Sequence, residues 1–296
     1  MVVQENLQET NPRAKQLVEQ LADRLGVDEK CVSVKTVEKN GYLVDGVLIR
    51  ENGAFVAPML YLYDGWRSIS AVSFDALVED LAARYCEIRS SLPREVNVVC
   101  DLEHVFVKVV NYEKNKNALK DCPVKRISNT DLVATYRVIV EGLDEDNSLS
   151  STLLTNKMLE ELGVTEEKLW EGAIENTMRL FPEDVLNMDD VISSMCPWDE
   201  DTPSSPMLIL TNSKKINGAT AILYPGLLDR VREEKGDFYI LPSSLNEVLL
   251  LPLGEMDGDG ESLRELVGDV NTNVLPPEDF LSNEVFFYDG TLRVAA

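Results

Sequence analysis

Apolar residues recur along this chain in two rhythms, the three-and-four spacing of amphipathic helices and the period of two of half-buried strands. Leu17, Val18, Leu21 and Leu25 share one helical face, with Asn11 and Pro12 ahead of them as N-cap and first helical residue and Gly26 as the stop. The stretch from Cys31 to Tyr63 is rich in valine, leucine and tyrosine, and is interrupted by Asn40-Gly41, Asp45-Gly46 and Asn52-Gly53. Those dipeptides supply the positive φ of tight hairpin turns, so a small antiparallel meander is expected. Ser73 then stands where it would cap a second helix, in which Phe74, Leu77, Val78, Leu81, Ala82, Tyr85 and Ile88 repeat at helical spacing until Pro93.

Val105, Val107 and Val109 alternate like a strand, and Tyr112 to Lys120 reads as a short polar helix. Leu132 to Val140 and Ser151 to Thr155 form a hairpin across the acidic turn at 141–147. Asn156 and Thr165 are expected to cap two helices, the first stopped by Gly163 and the second carrying Trp170, Ala173, Ile174, Thr177, Met178 and Phe181 on one face. A further short helix is expected from Asp184 to Met195. Beyond it the pattern predicts strands at 207–210, 219–224, 238–241, 247–253 and 285–288, a helix from Pro225 to Lys235, and another holding Leu263, Leu266, Val267 and Val270. Hairpins interleaved with helices, without βαβ alternation, place the chain in the α+β class. The expected organisation is an N-terminal region over residues 1–122 and a C-terminal α+β region over 123–296, with a linker rich in proline, serine and acid near 196–206.

Composition narrows the function more than it defines it. The 296 residues carry 28 basic and 52 acidic side chains, a net charge of -24 that repels nucleic-acid phosphates and anionic lipid headgroups. Direct nucleic-acid binding is therefore not expected, nor is a membrane role, since the longest aliphatic runs are far below about 18 residues. Residues 180–296 hold 7 basic against 22 acidic residues, so the surplus of acid is concentrated there. The first residues contain no basic and apolar leader, which predicts a cytoplasmic protein. The five cysteines (31, 86, 100, 122 and 196) are scattered and never form C-x-x-C, so reduced thiols are expected. Cys86 reads as a small apolar filler of its helix, and Cys122 as a loop thiol without an activating neighbour.

The single histidine, His104, excludes sites that need two imidazoles, and next to an apolar segment it reads as a packed or surface residue rather than a general base. Glu255-Met-Asp-Gly-Asp-Gly-Glu261 spaces oxygen ligands as a calcium loop does, but the twelfth position is Leu266, so no metal site is expected. No phosphate-binding glycine loop and no G-x-S-x-G is present, and no cofactor is expected. Tyr224-Pro225-Gly226 stands before a helix and reads as ordinary N-terminal punctuation. Two polar clusters remain as ligand-binding candidates. Ser243, Ser244, Asn246 and Glu247 bring two hydroxyls, an amide and a carboxylate between two apolar strands, with a capped turn as the competing explanation. Asn111, Tyr112 and Asn115 form the second set, where a strand-to-helix cap competes.

The ordered series Asn111-Tyr-Glu-Lys-Asn115, Glu175-Asn-Thr177 with Phe181-Pro182, Ile222-Leu-Tyr-Pro-Gly226, and Tyr239-Ile-Leu-Pro-Ser-Ser244 with Glu247-Val248 resembles an uncharacterised bacterial family, a domain of unknown function common in anaerobic gut bacteria. The resemblance runs from about Val32 to Tyr288, with Tyr63 to Ser68 as its weakest part. It implies a soluble intracellular bacterial protein, at times carried on mobile elements, and supplies no substrate, cofactor or catalytic residue. The expectation drawn from sequence is a non-catalytic protein that binds a protein partner, a basic one by charge, or serves as an accessory factor. The alternatives are an enzyme with a polar site near Ser243 to Glu247 and an acidic decoy of a nucleic-acid-binding protein.

Overall fold

Turn chemistry and alternation build the first sheet. The computed structural model describes residues 2–50, 57–91, 100–127, 129–140, 150–195, 205–254 and 260–295. They divide into two units, Met1–Val98 with Val140–Ser150, and Val99–Ile139 with Ser151–Ala296. In the first unit, strands β1 (Val2–Asn6), β2 (Val32–Lys39), β3 (Tyr42–Ile49) and β4 (Met59–Tyr61) form an antiparallel sheet in that order. Asn40 and Gly41 take φ of 52° and 71°, as a two-residue turn between β2 and β3 requires. Asp45-Gly46 is not a turn, contrary to expectation. It lies inside β3 opposite Thr36 and Lys35, where Gly46 leaves room for the Met59 side chain. Asn52-Gly53 falls outside the described residues, and β1 carried too little apolar signal to be foreseen.

Helix α1 (Pro12–Leu25) is capped by the Asn11 carboxamide, which accepts from the amides of Arg13 and Ala14, and ends at Gly26 in the left-handed conformation. Helix α2 (Ala71–Ser91) starts before Ser73: the Ser70 hydroxyl oxygen accepts from the Ser73 amide. Leu17, Leu21, Phe74, Leu81 and Tyr85 from the helices meet Val34, Val47 and Leu60 from the sheet in one core. Cys86 faces solvent, not the apolar side of α2, so it fills no core space.

The second unit begins with β5 (Val105–Asn111), the one-turn helix α3 (Tyr112–Asn115), β6 (Val124–Arg126), β7 (Leu132–Ile139) and β8 (Ser151–Leu153). Strand β7 is central, with β5 along one edge and β6 and β8 sharing the other. The division expected after residue 122 does not coincide with these units, because β5 pairs along its whole length with β7. The turn of the β7–β8 hairpin lies outside the described residues. Next come α4 (Asn156–Leu162), α5 (Glu166–Leu180), β9 (Glu183–Asn187) and α6 (Met188–Met195). Thr155, not Asn156, caps α4, and Thr165 caps α5. Residues 184–187, expected as helix, instead pair with β10 as an edge strand.

The remaining elements are β10 (Leu208–Asn212), α7 (Leu227–Lys235), β11 (Phe238–Pro242), β12 (Val248–Pro252), α8 (Gly260–Asn273), β13 (Phe286–Tyr288) and β14 (Leu292–Val294). The strands form an antiparallel sheet ordered β14-β13-β11-β12-β10-β9. Phe238, Ile240, Val248, Leu250 and Phe286 on one face belong to the main core, shared with β5, β7 and α5. Leu241 and Leu251 on the other face pack with Leu263 and Val267 of α8. The strand expected at 219–224 is instead a 3-10 helix, Gly218–Leu223. Its Thr220 hydroxyl accepts from the Val109 amide, and Thr177 of α5 does the same for Val107. Two buried threonines thus satisfy the edge amides of β5 that no neighbouring strand reaches, which explains why a residue typical of strands serves a helix here. Most of the acidic linker, 196–204, lies outside the described residues. No described helix is long and apolar enough to cross a membrane.

Candidate functional site

Residues 243–247 join β11 to β12, and their polar groups turn inward on the chain. The Ser243 hydroxyl donates to Glu247 Oε1 at 3.3 Å, the Ser244 amide to the Glu247 carbonyl at 3.1 Å, and the Asn246 amide to Ser244 Oγ at 3.0 Å. Asn246 Oδ1 accepts from the Asn217 amide and its carbonyl from Thr211 Oγ1. The Leu245 amide reaches the Asp279 carbonyl at 2.8 Å. Gly218 closes the assembly, since a Cβ there would stand 2.2 Å from the Asn246 carbonyl oxygen. Each hydroxyl and the carboxamide therefore has a partner within the protein, the arrangement of a turn locked to its neighbours.

Asn111, Tyr112 and Asn115 gather around a residue the sequence did not single out. Asn111 is buried at the N-cap of α3: its Oδ1 accepts from the Lys114 amide at 3.1 Å while its Nδ2 donates to Asp131 Oδ2 at 2.7 Å. Asn115 Nδ2 donates to the Asn111 carbonyl. The Ser282 hydroxyl lies 2.9 Å from both Asp131 oxygens. Burial raises the Asp131 pKa above the ordinary carboxylate value, although the bonds from Ser282 and Asn111 oppose the shift. The Tyr112 ring carries the Arg126 guanidinium 3.3 Å from its centroid. The segment of Asp279 and Ser282 serves both candidate sets. Asp131 left no sequence signal because its partners stand 20 and 151 residues away.

His104, Cys100, Cys122 and Arg137 offer no free reactive group. His104 Nδ1 lies 2.6 Å from Asp101 Oδ1, and that bond holds the Asp101 pKa below its usual value. Burial pushes the thiols of Cys100 and Cys122 up, away from reactivity. Arg137 is half-buried beside β8 and gives Nε and Nη2 to the Ser151 hydroxyl and carbonyl, both at 2.8 Å. Among the described residues no three His, Cys, Asp or Glu side chains are placed to hold a metal ion; of the 255–261 loop only Gly260 and Glu261 are described.

The first unit contains a hollow of about 470 Å³ whose lining includes Leu43, Leu62, Tyr63, Asp64, Trp66 and Arg67. Asp45, in the same lining, holds its neighbours together. Its Oδ1 accepts from Thr36 Oγ1 at 2.8 Å, and its Oδ2 from Trp66 Nε1 at 2.8 Å and from Arg67 Nε and Nη2 at 3.0 and 2.6 Å. Trp66 is 2% exposed, whereas Leu43 and Tyr63 are each 51% exposed at the rim. Gly65, at φ 83°, makes the turn that sends Trp66 inward and Arg67 outward. Asp45-Gly46 has the composition of a turn, and that local signal masks in the sequence the carboxylate that holds the hollow together.

Neither a curated protein nor a solved structure matches the chain. A family model does match, across residues 13–290, and so spans both units and both candidate clusters. The chain belongs to that family, DUF5688, a family of unknown function.

Proposed function

We propose that this chain is a non-catalytic binding protein of the bacterial cytoplasm whose first unit docks a protein partner at the hollow beside Trp66. The observation that carries this reading is the makeup of the hollow. Tyrosine and arginine are enriched among the residues that dominate protein interfaces, and here exposed Tyr63, Arg67 and Leu43 surround a concavity under which Trp66 lies buried as a fixed support. The network on Asp45 holds Trp66 and Arg67 in one geometry before any partner arrives, which lowers the ordering cost of association. The acidic net charge and Asp64 in the lining favour a partner that presents an apolar side chain next to a basic one. The alternative of a polar enzyme site at 243–247 draws no support from a turn whose hydroxyls and carboxamide are already bonded within the chain.

The test is a photo-crosslinking residue at position 63, with one at Val72 as the exposed control in the same unit. The expected result is a discrete adduct at 63 absent at 72, and direct binding of the purified partner that Tyr63→Ala or Leu43→Asp weakens without lowering the melting temperature. A partner that binds these variants as well as the parent would sink the reading. A metabolite that raises the melting temperature of the parent but not of Glu247→Gln would replace it with the enzyme alternative.

A further inference from the structure

Helix α8 presents more apolar surface than its sheet covers. Leu263 and Val267 are buried against Leu241 and Leu251, but Leu266 and Val270, and Val274 one residue past the helix end with its amide bonded to the Val270 carbonyl, are 47%, 38% and 76% exposed. These three recur every fourth residue and make a continuous ridge about 12 Å long on the solvent side. Immediately round the helix runs a second row at the same spacing, Glu261, Glu265 and Asp269, all exposed. None of these three carboxylates is ion-paired among the described residues, and the one basic residue of the helix, Arg264, is bonded to Glu284 and the Ala295 carbonyl instead.

An apolar ridge flanked by an unneutralised acidic row specifies its own complement. We propose that α8 is a docking surface for an amphipathic helix of a protein partner that lays apolar residues on Leu266, Val270 and Val274 and lysine or arginine against Glu265 and Asp269. Ridge-into-groove packing of one helix along another suits residues at four-residue spacing. A second copy of this chain is the wrong occupant, because an antiparallel two-fold pairing of α8 would set acidic row against acidic row and a parallel one would offer that row no basic residue, Arg264 being bonded elsewhere. An anionic membrane is wrong for the same reason. The surface belongs to the second unit and goes beyond the reading of the Trp66 hollow; each stands or falls by its own variants.

The probe is a fluorescein-labelled 18-residue helical peptide of leucine and lysine, titrated with the full chain by fluorescence anisotropy, alongside a leucine–glutamate peptide of the same pattern. The parent is expected to bind the basic peptide and not the acidic one, with an affinity that falls as salt rises. Leu266→Asp and Val270→Asp, and separately Glu265→Lys with Asp269→Lys, are expected to weaken binding at least tenfold while thermal unfolding stays unchanged, since all four side chains are exposed. Tyr63→Asp, in the other unit, is expected to leave it unchanged. The proposal is overturned if no basic-peptide binding is found, if the acidic peptide binds equally well, or if the α8 variants bind like the parent. It is also overturned if light scattering shows a dimer of the chain that Leu266→Asp dissociates, or if Tyr63→Asp alone abolishes binding. The last result would return the peptide to the hollow.

Discussion

Replacing Asp45 with alanine isolates the pre-organisation on which the hollow depends. The carboxylate accepts four hydrogen bonds, and their value differs with what each donor does once it is lost. The Trp66 indole N–H is buried with its residue, so orphaning it costs about 1–3 kcal/mol of desolvation without return. The Arg67 side chain is 42% exposed and can return to water, so its two bonds are worth together about 0.5–1 kcal/mol. Thr36, half-buried, adds about 0.5–1 kcal/mol. Asp45→Ala is therefore expected to destabilise the protein by about 3 kcal/mol. Asp45→Asn keeps one carbonyl oxygen for the indole and loses chiefly the attraction to Arg67, so its cost is expected near 1 kcal/mol. Urea unfolding measures both, and near-ultraviolet circular dichroism, to which Trp66 contributes with the other aromatic side chains, reports whether its environment stays fixed. An Asp45→Ala cost below about 0.5 kcal/mol, or equal costs for the two variants, would refute the claim that this carboxylate holds Trp66 in place.

Asp131→Asn tests the second network. Because burial raises the folded-state pKa of Asp131 above its unfolded value, the parent has its full contribution at pH below the unfolded value and loses stability as pH rises through the folded value. The asparagine variant, which can still accept from Asn111 and donate to Ser282, is expected to gain on the parent as pH rises from 3 to 7; an advantage that shrinks with rising pH would contradict the assignment. Gly218→Ala is expected to cost about 1–3 kcal/mol, since the new methyl meets the Asn246 carbonyl and Thr211 Oγ1, at 2.2 and 2.3 Å, and neither can withdraw without breaking the 243–247 turn. A neutral outcome in thermal unfolding would mean that the turn is not locked as described. Among the thiols, iodoacetamide at pH 7.5 is expected to modify exposed Cys86 well before Cys100 and Cys122, whose pKa values burial raises, and peptide mass spectrometry showing the reverse order would overturn that assignment.

What the sequence determined by itself is local. The α+β class, α1 with its Asn11-Pro12 start and Gly26 stop, the inward face of α2 and the β2–β3 hairpin at Asn40-Gly41 all follow from interactions within a few residues, where periodicity, capping and turn propensity act directly. The family of unknown function implied by the resemblance is matched across residues 13–290. Tertiary structure decided everything that depended on a distant partner. Thr220 and its neighbours alternate well enough for a strand, yet they form a 3-10 helix because the hydroxyl is needed by Val109, 111 residues earlier. Residues 184–187 became a strand because β10 offered an open edge. Asp45-Gly46 has the composition of a turn but sits in mid-strand, its carboxylate held by Trp66 and Arg67. The clusters at Asn111 and Ser243 were legible as polar groups, but whether those groups face a ligand or one another is set by Asp131, Asp279 and Ser282, which no local pattern connects to them. A sequence carries propensities at short range; the spending of a hydrogen-bonding group is a property of what folds against it.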